Sequence, residues 1–279
     1  GVLMFGVSNG ASYGWGTVPV VASLATGAAL IVVLVLVEAR VPNPILALHL
    51  YRNRLFRSTS LAFVLGVSSL FGLLFMVPLL LQIGLGRSAL HAGRDIFPEA
   101  IGVMVGSQLT TRWWYPTFGP RRLVIGALLA VGGTSLLLTS ITAGTNSWVI
   151  RVLMFLLGLA MGPVYVASSA ASFATVARVD MGQASSLFNS QRQFGTAVGI
   201  AILSTVLSLA GSTTGVGGHS ANLSGYHFAF VAAALLALAG MVIAFGISDD
   251  DAAITIVRRR LEAEHSERVA VGNTEELSA

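Results

Sequence analysis

The chain has 279 residues, of which 54% are hydrophobic and 10% charged, with a mean hydropathy of +0.80 and a formal net charge of +4. A soluble domain carries about 25% charged residues, so this composition excludes a water-soluble globule, a disordered chain, a collagen and a coiled coil. The sequence contains neither cysteine nor lysine. That excludes a disulfide framework, a thiolate metal site, a cysteine nucleophile and the lysine of a phosphate-binding loop.

Residues 1–8 are apolar but too short to span a bilayer, which takes about 20 residues. They read as the end of a helix cut short, and no basic leader marks them as a signal peptide. Small residues in 9–16 predict a turn. Uncharged or nearly uncharged runs then predict spans at 17–37, 58–83, 95–113, 122–143 and 148–176. Residues 193–248 hold no Asp, Glu or Arg. The Gly/Ser/Thr/Asn cluster at 211–225 divides that stretch into spans at about 182–210 and 226–247. The fold class is therefore all-α: a polytopic integral membrane protein with seven full spans and one partial one.

Charge is unevenly shared. Residues 1–248 carry 12 Arg against four acids (Glu38, Asp95, Glu99, Asp180), and residues 249–279 carry 4 Arg against 8 acids. Arg40, Arg52, Arg54, Arg57, Arg112, Arg121, Arg122 and Arg178 fall in alternate loops, whereas the intervening ones hold only Arg87, Arg94 and Arg151. The positive-inside bias makes the first set cytoplasmic, together with the C-terminal tail, and gives no reason to invoke nucleic acid. Trp15, Trp113, Trp114, Tyr115 and Trp148 lie near span ends, where amphipathic rings favour the interface.

Small residues at helical spacing, Gly102 with Gly106, Gly158 with Gly162 and Gly195 with Gly199, predict close helix packing. Pro78, Pro98 and Pro163 each remove a backbone hydrogen bond, and Gly162-Pro163 in mid-span reads as a hinge or as a fixed kink. Ionisable groups at membrane depth point to function, because burying them is costly. Arg192 lies within the sixth full span and shares one helical face with Asn189 and Gln193. That face lines a translocation path, or else Arg192 snorkels to the cytoplasmic surface or locks two helices together. Arg151 opens the fifth span as a coupling group or an interfacial anchor. Asp95 and Glu99 stand one turn apart and face the same way; a buried pair could carry a proton, with Glu99 the candidate proton or substrate group and Asp95, beside Arg94 in the loop, either a lesser one or only solvated. The five His are scattered without metal-ligand spacing, and no nucleophile–base arrangement or carboxylate cluster suggests an enzyme or a cofactor.

The order of these signatures resembles the C-terminal part of the major facilitator superfamily, in its fourteen-span drug:proton antiporter branch. The stretch from Glu38 through Pro42 and Pro44 to Arg57 is similar to the linker that leads into the C-terminal bundle. Gly86 to Gly93 with Phe97-Pro98, and Arg151 with Gly158 and Gly162-Pro163, are similar to motifs of its first, second and fourth helices. The run from Gly182 through Asn189, Arg192 and Gln193 to Gly199 resembles the fifth. Gly119-Pro120-Arg121-Arg122 keeps the basic end of the superfamily's loop motif, with no acid in 106–118.

The resemblance implies a linker region (1–57), a six-helix bundle of two three-helix repeats (58–247) and a charged cytoplasmic tail (248–279). It implies proton-coupled efflux of small apolar or cationic compounds across the plasma membrane by alternating access. The partners would be the lipid bilayer, protons, a small-molecule substrate and an N-terminal six-helix half missing from this chain. Arg192, Asn189 and Gln193 would line the cavity, with Arg151 and Glu99 on the same substrate or proton pathway. Export of a natural metabolite such as an amino acid, sugar or siderophore uses the same scaffold. A membrane scaffold whose acidic tail recruits a partner is the reading from a different class.

Overall fold

The computed structural model describes residues 17–38, 48–174, 176–210 and 223–247. The expected partial helix at 1–8, the turn at 9–16 and the tail at 248–279 lie outside these residues. The described chain is helical throughout its regular structure. Helix α1 (Val18–Glu38) is followed by a short 3₁₀ turn (Leu48–Arg52). The remaining helices are α2 (Arg54–Leu79), α3 (Ala89–Ile96), α4 (Pro98–Leu109), α5 (Tyr115–Leu138), α6 (Ser147–Phe173), α7 (Met181–Leu209) and α8 (Ser224–Ala244). Five helical stretches are long and apolar enough to cross a membrane, one of them 50 residues long, and the chain is an all-α polytopic membrane protein.

Local chemistry sets the helix boundaries. Asn53 caps α2 by accepting from the Leu55 and Phe56 amides at 2.8 and 3.3 Å, and Asn146 caps α6 by accepting from Trp148 at 2.9 Å. After Pro78, α2 widens into a π-turn (Leu80–Gly84) and ends with Gly86 at φ 65°. Its Arg87 amide bonds back to the Leu81 carbonyl at 2.9 Å, a left-handed helix stop that suits glycine. Ser88 then caps α3, so helix begins at Ala89, earlier than the 95 expected of the third span.

The 50-residue stretch from Ala89 to Leu138 contains two spans. It widens again at Thr110–Trp114, where the Thr110 and Thr111 hydroxyls donate to the Gly106 and Ser107 carbonyls at 2.7 and 2.9 Å. It breaks at Gly119, whose φ of 73° and ψ of 166° belong to a region essentially reserved for glycine. Pro120 restarts the helix. Helix α5 stops at Leu138, short of the expected 143, where the Thr139 and Ser140 hydroxyls fold back onto the Leu136 and Leu137 carbonyls.

Two pairs of helices hold the bundle. Helix α4 packs along α6, and α2 along α7. A Cβ on Gly102, Gly106, Gly158 or Gly162 would strike backbone of the facing α4 or α6, and one on Gly195 or Gly199 would strike α2. Both pairs are parallel: Glu99 faces Gly158 and Ser107 faces Gly162, while Val64 faces Gly195 and Ser68 faces Gly199. Helix α2 also packs on α8, α6 on α5, and α5 on α8. Among the buried side chains at the centre are Phe63, Leu73, Met76, Leu128, Met154 and Phe230. Tyr115 is buried there too, unlike the exposed Trp113 and Trp148 with which the sequence grouped it as an interfacial aromatic.

Candidate substrate and proton pathway

Helix α7 has two faces. Ala184, Leu187, Phe188, Gln191, Gly195, Gly199 and Leu203 are buried on one. Beside it runs a polar stripe of Ser185, Ser186, Asn189, Arg192, Gln193 and Thr196, spaced by three and four residues. Six polar groups on one flank of a membrane helix are costly to place against acyl chains. Arg192 is half-buried, with its guanidinium near the Tyr165 hydroxyl on α6. Glu99 of α4 lies on the same side of α6, level with Gly158 and about two helical turns from Tyr165. An aromatic floor supports Tyr165: Phe63 of α2 meets it edge-on at 5.3 Å and stacks on Phe188 at 4.2 Å between centroids.

Asn189 and Gln193 lie on the same stripe and are exposed. The Asn189 amide donates to the Ser185 carbonyl of its own helix at 3.3 Å. Gln191, on the buried face, donates to the Tyr51 hydroxyl of the 3₁₀ turn at 2.5 Å. Leu50 of that turn packs with Phe56, Ala184 and Leu187. The linker is therefore seated on the first third of α7, one residue from Arg192.

Arg151 is elsewhere. At the opposite end of the bundle it donates through Nε to Asp95 Oδ1 at 2.9 Å, while Arg87 Nη1 holds Asp95 Oδ2 at 2.5 Å. Arg87 also donates to Ser147 Oγ and the Thr145 carbonyl at 2.8 and 3.0 Å, and Arg151 lies over the Trp148 ring at 5.0 Å. Asp95 is 1% exposed, which corrects the expectation of a solvated loop residue. The Gly86 stop turns Arg87 toward Asp95, Thr145 and Ser147, and the cap at Ser88 folds Asp95 into helix, so sequence adjacency to Arg94 does not select its partner.

The structure places Arg192 near the Tyr165 hydroxyl and Glu99 level with Gly158 on the neighbouring α4, sets Asn189 and Gln193 along the same stripe, and leaves Arg151 in a separate ion-pair cluster. Gly162 and Pro163 are both buried within an uninterrupted α6. Tyr165, two residues beyond Pro163, was not singled out in the sequence; a lone phenol among apolar side chains carries no pattern. Arg87 and Gln191 were missed for the same reason, since their partners come from distant segments. Among the described residues no group of three or more His, Asp or Glu could hold a metal ion.

A model of the Major Facilitator Superfamily matches residues 1–200. The chain belongs to that superfamily. It is similar to a puromycin resistance protein of Streptomyces alboniger, with 34% identity over 199 residues, or 70% of this chain and 40% of that protein. A methylenomycin A resistance protein of Streptomyces coelicolor is 30% identical over 203 residues, covering 73% and 42%. A cephamycin export protein of Amycolatopsis lactamdurans is 32% identical over 242 residues, covering 85% and 49%. The chain thus spans about half the length of the curated relatives it matches. Membership of that superfamily makes it a multi-pass membrane protein, with the bilayer as its solvent.

Proposed function

We propose that residues 58–247 form the C-terminal six-helix half of a proton-coupled exporter of small apolar or cationic compounds in the fourteen-span branch. The observation that carries this reading is the polar stripe of α7, with half-buried Arg192 near Tyr165 of α6. The relatives named for resistance to puromycin and methylenomycin A and for cephamycin export support the direction of transport. In this reading the protein resides in the plasma membrane with 248–279 in the cytoplasm. Residues 54–138 and 147–247 are two inverted three-helix repeats, which accounts for the matched parallel pairs α4·α6 and α2·α7. Access alternates as this half rocks against an N-terminal half, with Gly162-Pro163 bending. Arg192, Asn189 and Gln193 line the cavity, and Glu99 carries the proton.

The test is dye efflux from proteoliposomes under an imposed proton gradient. The 279-residue chain by itself is expected to move no dye. The chain joined to the N-terminal half of the puromycin resistance relative is expected to move it, at a rate reduced about tenfold or more by Glu99→Gln. Gradient-driven transport by the 279 residues alone, or a joined protein indifferent to the gradient, would refute the proposal. Export of a natural metabolite uses the same residues and differs only in which compound is moved.

A further inference from the structure

The two zippered pairs share one more feature. Glu99 stands three residues before Gly102, and Gly106 follows four residues later; Arg192 stands three residues before Gly195, and Gly199 follows four later. Gly102 and Gly106 rest on α6, and Gly195 and Gly199 on α2. Exchanging α4 with α7 and α6 with α2 therefore carries the position of Glu99 onto that of Arg192. Each charge leaves its helix on the same flank of the glycine seam. Because the exchange reverses the chain direction, the acid sits toward the end of the bundle bearing Ser147 and the base toward the end bearing Arg178. Glu99 is level with Gly158, seven residues before Tyr165, which sets the acid about 10 Å along the axis from the hydroxyl that Arg192 reaches. Among the described residues, neither Glu99 nor Arg192 makes a salt bridge within 4.0 Å, unlike Asp95.

From this arrangement we infer that the site takes an amphoteric organic molecule, its acidic group on Arg192 and Tyr165 and its basic group toward Glu99. The inference rests on the cavity reading above and narrows its substrate class. Two opposite charges at membrane depth, on matching flanks of the two glycine seams and without a salt bridge to each other, are each stabilised by a ligand that brings the complementary group. A purely cationic ligand satisfies Glu99 and leaves Arg192 facing its positive charge. A neutral one satisfies neither. An amphoteric ligand matches both at once, and the flanking Asn189, Gln193 and Thr196 supply hydrogen-bonding groups of either polarity.

The test uses the full chain in lipid nanodiscs and two dyes that differ by one charge. Rhodamine B carries a carboxylate and a xanthylium cation; its ethyl ester keeps only the cation. Fluorescence anisotropy is expected to give a Kd for rhodamine B about tenfold below that of the ester. Arg192→Gln is expected to bring the ratio of the two Kd values close to one, and Arg192→Lys to preserve most of it. Equal binding of the two dyes by the unaltered chain, or a ratio that survives Arg192→Gln in folded protein, overturns the inference while leaving the cavity standing. Failure of both dyes to bind removes the cavity reading and this inference with it.

Discussion

Asp95 is a buried carboxylate between two guanidinium groups, and its removal strands both of them. Breaking a buried pair on one side leaves a charge without compensation and costs about 3–5 kcal/mol. Arg87 and Arg151 keep some exposure, so Asp95→Asn is expected near the lower figure, about 3 kcal/mol. Arg151→Gln leaves Arg87 on the carboxylate and is expected to cost about 1 kcal/mol. Thermal melts in a fixed detergent measure both, and equal losses would show that the cluster does not share its charge as described. Gly158 meets the Glu99 carbonyl with no room for a Cβ, whereas a Cβ on Gly126 meets nothing within 4 Å. Gly158→Leu is therefore expected to destabilise by about 3 kcal/mol, whereas Gly126→Leu is expected to be neutral or to stabilise by up to about 1 kcal/mol. The glycine spacing was legible in the sequence because backbone approach leaves a period of four. Arg192 was legible because a cation in an apolar run is rare. The Asp95 cluster was not, because it depends on where Gly86 and Ser88 turn the chain.

Spans were read well by length and apolarity, and the helix ends less well. A hydropathy pattern does not register Ser88 as a cap, the Thr110 and Thr111 hydroxyls widening a turn, or a glycine break inside 50 helical residues. Gly119 breaks the first turns of α5 at a φ/ψ that a side chain adopts only with strain of about 1–3 kcal/mol. Gly119→Ala is expected to lower the melting temperature accordingly, with Gly126→Ala as the control that does not. The seat of the linker on α7 is testable by pH. Burial pushes the Tyr51 hydroxyl above its ordinary value of 10.0, partly offset by the Gln191 amide. A raised folded pKa means stability is kept below pH 10 and lost as pH climbs through the folded value. With no Lys or Cys in the chain, few other groups titrate there. Stability is expected to fall above pH 10, and Tyr51→Phe to flatten part of that fall; an unchanged alkaline limb in the variant would show that the hydroxyl is not enclosed. Pro163 leaves the Leu159 carbonyl without its helical donor, and that carbonyl lies against Gly106. Bending at Gly162-Pro163 would accordingly carry α4 with α6.

Across the bundle, the strongest packing runs between the first three spans and the last three. Helix α2 lies on α7 and α8, α6 lies on α4 and α5, and α5 closes on α8. Each set of three is laced through the other, so neither has a core of its own to keep if its companion leaves. Unfolding is then expected to be one cooperative transition, seen as coincident loss of helicity and of tryptophan fluorescence; two separated transitions would contradict the interlacing. The same topology bears on a severed backbone. A cut in the turn between Leu138 and Ser147 would free two ends and no surface, and the pieces should elute together and reassemble when made as separate polypeptides.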